Sequence, residues 1–64
     1  MRSEEVRKGM RVRVREDHDQ PDLRGCAGTV MQVWGNPSYV ALDVLFEDGR
    51  SELFWHYQLE KEES

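Results

Sequence analysis

One stretch of this chain alternates apolar and polar residues one for one, a second alternates large aliphatic residues with a mixed set, and that period of two restricts the fold more than any other feature. From Met10 to Arg15, the residues Met10, Val12 and Val14 take one side and Arg11, Arg13 and Arg15 the other. From Tyr39 to Phe46, Val40, Leu42, Val44 and Phe46 alternate with Tyr39, Ala41, Asp43 and Leu45. Successive strand side chains point to opposite faces, so a period of two with one apolar side means a half-buried β-strand.

The residues between these runs read as turns and further strands. Gly9 starts the first strand. Glu16 to Gly25 holds four acidic residues, His18, Pro21 and a closing glycine, with Leu23 its only aliphatic residue, and is expected to be a loop. Gly25 and Gly28 bracket the start of a second strand through Thr29, Val30, Met31, Val33 and Trp34. Val30 and Val33 cannot share a face by perfect alternation, which predicts a bulge near Gln32.

Gly35-Asn36-Pro37-Ser38 forms a hairpin into the third strand, and Glu47-Asp48-Gly49-Arg50 a second, with Asp-Gly at left-handed positions. A fourth strand follows from Ser51 to Trp55. His56-Tyr57-Gln58 suits one 3₁₀ turn, and Leu59 returns to the core as a short last strand.

The expected fold is all-β: a small five-stranded antiparallel SH3-like barrel over residues 9–60, with a single 3₁₀ turn before the last strand. A flexible charged arm (1–8), with a helical turn over Glu4 to Arg7, precedes it, and a charged tail (61–64) follows. Val12, Val14, Val30, Val40, Leu42, Val44, Phe46, Phe54 and Leu59 are the expected interior.

A length of 64 residues bounds the functional classes. It makes one domain, near the lower limit for a core without disulfides or metal. Such a core leaves little room for a deep catalytic pocket, so no enzymatic activity and no cofactor are expected. The single Cys26 excludes an internal disulfide and a thiolate zinc cluster, and reads as a small apolar filler in a cytoplasmic protein. The longest apolar stretch, Tyr39 to Phe46, contains Asp43, so no membrane association is expected.

The net charge is −4, unevenly spread. Arg2, Arg7, Lys8, Arg11, Arg13 and Arg15 face only Glu4 and Glu5 within residues 1 to 15, a local balance of +4 that leaves −8 for the remainder. Alternation places the guanidinium groups of Arg11, Arg13 and Arg15 in a row, about 7 Å apart. Such a row can grip carboxylates or phosphates, or it is a solvated face paired with acidic residues across the sheet, such as Asp43 or Glu52.

Trp34, Tyr39, Trp55 and Tyr57 fall at strand ends. They are either a lid over a small core or contact residues in a groove. The expected partner-binding residues are thus Arg11, Arg13, Arg15, Trp34, Trp55 and Tyr57. Asp17, His18, Asp19 and Asp22 match neither a calcium loop nor a transition-metal site, and no metal site is expected. The partner expected is a protein, with nucleic acid the less favoured alternative on an acidic body. The chain is expected to be a monomer or a weak edge-strand homodimer.

At Gly9-Met10-Arg11-Val12-Arg13-Val14, Gly28-Thr29-Val30 and Phe46-Glu47-Asp48-Gly49, followed by Phe54 and Leu59, the chain resembles the small SH3-like electron-transport accessory proteins. These include the stromal accessory subunit of photosystem I, the variable chain of ferredoxin-thioredoxin reductase and the barrel domain of the nitrile hydratase β subunit. Gly-x-x-Val-x-Val and Gly-Thr-Val also occur in Tudor-like and ribosomal KOW barrels. The resemblance implies a non-catalytic module that docks beside a redox or metal-bearing subunit, with the arginine row facing an acidic protein such as a ferredoxin. The acidic loop Glu16 to Asp22 and the tryptophan-rich end depart from that pattern.

Overall fold

The computed structural model describes residues 1–36 and 38–62. Five antiparallel strands, β1 (Arg11–Val14), β2 (Ala27–Asn36), β3 (Tyr39–Phe46), β4 (Ser51–Trp55) and β5 (Leu59–Lys61), form one sheet in the order β4-β3-β2-β1-β5. Among the described residues no ladder joins β4 to β5, so the two are free edges and the sheet is open where a closed barrel would join it. No helix among them is long and apolar enough to cross a membrane.

All nine residues expected inside are buried. Phe54 meets Phe46 edge to face, with centroids 5.9 Å apart, and Leu59 reaches the same cluster from beyond the last turn. The expected bulge is present: the β2–β3 register shifts between Val30 and Gln32, so Met31 opposes no partner, just beyond the Gly28–Thr29 segment that pairs with β1 and β3 at once. Cys26, Met10 and Met1 pack, half-buried, against the core.

Two further core residues, Val6 and Leu23, come from segments without a strand pattern. Val6 follows a 3₁₀ turn at Ser3–Glu5, and the terminal ammonium of Met1 donates to the Leu59 carbonyl at 2.8 Å, so Met1 and Val6 tie this segment to the sheet. Leu23 ends a 3₁₀ turn, Pro21–Leu23, begun by a proline whose ring presets the backbone angle such a turn needs. The expected 3₁₀ turn, His56–Gln58, lies directly before β5; of the other two among the described residues, Ser3–Glu5 overlaps the helical turn expected over Glu4 to Arg7, and Pro21–Leu23 was not expected.

Gly25 and Gly28 bracket the start of β2 as expected, and Gly28 lies inside the strand with an ordinary strand backbone. A Cβ there would lie 2.6 Å from Val44 Cγ1 and 2.7 Å from the Leu45 carbonyl oxygen, so the position is glycine because β2 and β3 pack too closely for a side chain.

In the second hairpin only Gly49 has a positive φ, 93°. Gly49 N–H donates to Phe46 O and Phe46 N–H to Arg50 O, a three-residue loop closed by a left-handed glycine rather than a two-residue Asp-Gly turn. In the first hairpin Gly35 and Asn36 belong to β2 and Pro37 lies outside the described residues. β5 runs through Lys61, the first residue of the expected tail, and Glu62 N–H donates to Arg11 O at 3.2 Å. Glu63 and Ser64 lie outside the described residues.

Candidate functional site

The sheet register decides which of the candidate residues meet. Trp34 on β2 pairs with Ala41 on β3, and Ala41 pairs with Trp55 on β4, so two indoles flank one small residue on the outward face. Neighbouring strands are separated by about 4.8 Å, which places the two tryptophan backbones about 10 Å apart. Trp34 is 56 % exposed and Trp55 43 %, so neither belongs to the core. Tyr39 stands edge-on to Trp55, with centroids 5.9 Å apart. Tyr57, 54 % exposed on the His56–Gln58 turn, lies parallel to Trp55 within 4°, with centroids 6.5 Å apart.

That turn is held rigidly. Gln58 accepts the Trp55 backbone N–H on its side-chain oxygen at 2.9 Å, and its carbonyl accepts Arg15 N–H at 3.0 Å. The His56 ring nitrogen Nδ1 lies 3.0 Å from the Met1 carbonyl oxygen. Tyr57 is thus presented by a turn fixed on both sides.

The arginine row stands apart from this cluster, on β1. Arg11 reaches Glu47 at 3.1 Å and Glu62 at 3.6 Å; Arg13 reaches Glu62 at 3.5 Å; Arg15 reaches Asp17 at 3.2 Å. Each guanidinium is therefore paired with a carboxylate of the chain itself, though not with Asp43 or Glu52. The hydrogen bond from Arg15 holds the Asp17 carboxyl below the usual carboxylate range. Glu62, only 26 % exposed at its side chain, lies between Arg11 and Arg13 and ties β5's end to β1.

The acidic loop packs beside β4. His18 sits edge-on to Phe54 at 5.5 Å, and its Nδ1 accepts the Gln20 backbone N–H at 3.0 Å. Arg24 donates to the His18 carbonyl at 2.7 Å. A cleft of about 330 Å³ remains between this loop and β4, lined by His18, Asp19, Gln20, Leu23, residues 52–55 and Gln58. It adjoins a second hollow bounded by Asp17, Tyr57 and Gln58.

Comparison with protein-family models, curated proteins and solved structures found no match. The geometry alone therefore carries the functional reading. It brings Trp34, Trp55 and Tyr57 onto one surface and leaves Arg11, Arg13 and Arg15 in ion pairs elsewhere on the sheet. Leu53, 65 % exposed, belongs with the aromatic cluster and was not among the candidates. Its signal was available: once Phe54 is assigned inward, alternation turns Leu53 and Trp55 outward together.

Proposed function

We propose that this chain is a non-catalytic protein-docking module, an SH3-like barrel of the accessory type, which holds its partner through Trp34, Trp55 and Tyr57, with Tyr39 and Leu53 beside them. What carries the reading is the register Trp34–Ala41–Trp55, which puts two large exposed rings on either side of a small floor. Tryptophan and tyrosine left in water on a monomer are the residues that anchor interfaces, since each buries a large area for few frozen torsions. Arg11, Arg13 and Arg15 take a secondary part, because gripping an acidic partner would first mean releasing Glu47, Glu62 and Asp17.

Affinity capture from the native lysate tests this. The wild-type chain is expected to enrich one protein, in a nuclease-insensitive manner. Trp34→Ser with Tyr57→Ser should abolish capture while the variant's amide spectrum stays folded, and Arg11→Gln with Arg13→Gln should retain it. Capture lost with the arginines and kept without the aromatics would refute the assignment. Nuclease-sensitive recovery of nucleic acid would replace it with the phosphate-binding alternative.

A further inference from the structure

The cleft beside β4 has a specific construction. Its lining includes four consecutive residues, Glu52, Leu53, Phe54 and Trp55. Consecutive strand residues point to opposite faces, so a cleft touched by all four runs along the strand's edge rather than over either face. β4 is one of the two free edges of the sheet. An edge strand offers unpaired N–H and C=O groups, which template an added strand. Along this strand Glu52 and Phe54 turn their backbone groups to β3 and the Trp55 N–H is held by the Gln58 side chain at 2.9 Å, so Ser51 and Leu53 are the positions open to an added segment of about three residues.

The charge of the lining selects among occupants. Asp19 on the loop wall and Glu52 on the strand wall form no ion pair with any cation among the described residues, and the lining itself contains no lysine or arginine. The nearest basic groups of the loop are engaged, Arg15 with Asp17 and Arg24 with the His18 carbonyl. Trp55 and Tyr57 stand parallel at the cleft's end, with ring faces that attract a cation. A second copy that pairs β4 against β4 meets the cleft with its own acidic loop and Glu52, and a nucleic acid meets it with phosphates; both are repelled. A larger open hollow, about 480 Å³, lies beside Ser3, Glu4, Arg7, Gly35, Asn36 and Val40, but there the Arg7 guanidinium is bound to the carbonyls of Glu4 and Val6, and β2 contributes only its last two residues.

Resting on the docking reading above, we propose that the cleft takes an extended, arginine- or lysine-bearing segment of the partner protein as a sixth strand along β4. The segment's backbone pairs with the strand edge, and its cationic side chains meet Asp19, Glu52 and the rings of Trp55 and Tyr57. This reverses the charge expected of the partner from the arginine row.

Titration of the ¹⁵N-labelled chain with a capped Val-Arg-Val-Arg-Val peptide tests the proposal. The expected result is saturable shifts at the amides of Glu52 to Trp55 and at the Trp55 indole. Asp19→Asn with Glu52→Gln, whose folding the same spectrum reports, should weaken binding about 2- to 30-fold, the range two exposed charge pairs give. Arg11→Gln with Arg13→Gln should leave it unchanged. Unmoved β4 amides at millimolar peptide, equal binding of a Val-Glu-Val-Glu-Val peptide, shifts confined to β5 or displacement by a uridine decanucleotide would each overturn the proposal. Capture dependent on the aromatics together with a failed titration would leave the docking reading standing and remove only this occupant.

Discussion

Replacing Gly28 by alanine tests the packing that brings β2 and β3 together. The new methyl would sit 2.6 Å from Val44 Cγ1, 2.7 Å from Leu45 O and 3.2 Å from Leu45 C, where ordinary contact begins at 3.4 Å. Val44 is fully buried and has no space to retreat. The Leu45 carbonyl belongs to the β3 backbone, and Thr29, next to Gly28, is Leu45's ladder partner, so moving it strains the sheet.

Overpacking of this kind costs about 1–3 kcal/mol. Against it stands a gain of about 0.4–1 kcal/mol, because alanine restricts the unfolded chain more than glycine does. Two contacts under 3 Å, one of them to backbone, put the clash at the upper end, about 2–3 kcal/mol, so the expected net loss is about 1–2 kcal/mol. For a domain of this size that lowers the melting temperature by about 4–16 °C. Urea unfolding followed by far-UV circular dichroism gives the number. Adding Val44→Ala should recover only part of the clash, since the carbonyl contact persists, so the two substitutions should be non-additive. A Gly28→Ala chain as stable as wild type would refute the close approach of β2 and β3.

Leu23→Ala should destabilise by about 2–3 kcal/mol in the same assay, as a core truncation does, although the residue sits in an acidic loop; a loss under about 0.5 kcal/mol would mean that the loop is not anchored. Acid should act through Glu5, Asp17 and Asp48, all with carboxyl pKa values below their ordinary range. The causes are, first, the Arg2 backbone N–H and then Lys61 for Glu5; Arg15 for Asp17; and the Arg50 backbone N–H, with its guanidinium, for Asp48. Because the folded pKa values lie below the unfolded ones, the stabilisation is complete above the ordinary carboxylate range, near pH 4, and is lost as pH falls through the folded values. Carboxyl NMR titrations should show these three midpoints depressed, and an ordinary midpoint for any one would remove its partner from the account.

Much of this fold could be read from periodicity, because strand alternation sorts valines from arginines without any tertiary information. That is why Val12, Val14, Leu42 and Val44 were placed correctly inside. Val6 and Leu23 escaped because a single apolar residue in a charged segment has no period, and only the fold reveals that its segment crosses the core. The packing role of Gly28 escaped for a related reason: a turn glycine and a packing glycine are the same letter, and only the distance to β3 separates them.

The site divides likewise. Trp34 and Trp55 were recognisable as residues, but their adjacency through Ala41 depends on the register that the Met31 bulge sets. The arginine row was legible as a row; its partners were not, since Glu47 and Glu62 are 36 and 51 positions from Arg11 along the chain.

The most direct test of docking through the aromatic face is to follow side-chain N–H resonances while the captured partner is added to the labelled chain. The indole signals of Trp34 and Trp55 should shift or broaden together, while the Nε–H signals of Arg11 and Arg13 stay with their free-state positions. Movement of the arginine signals with both indoles unchanged would contradict it.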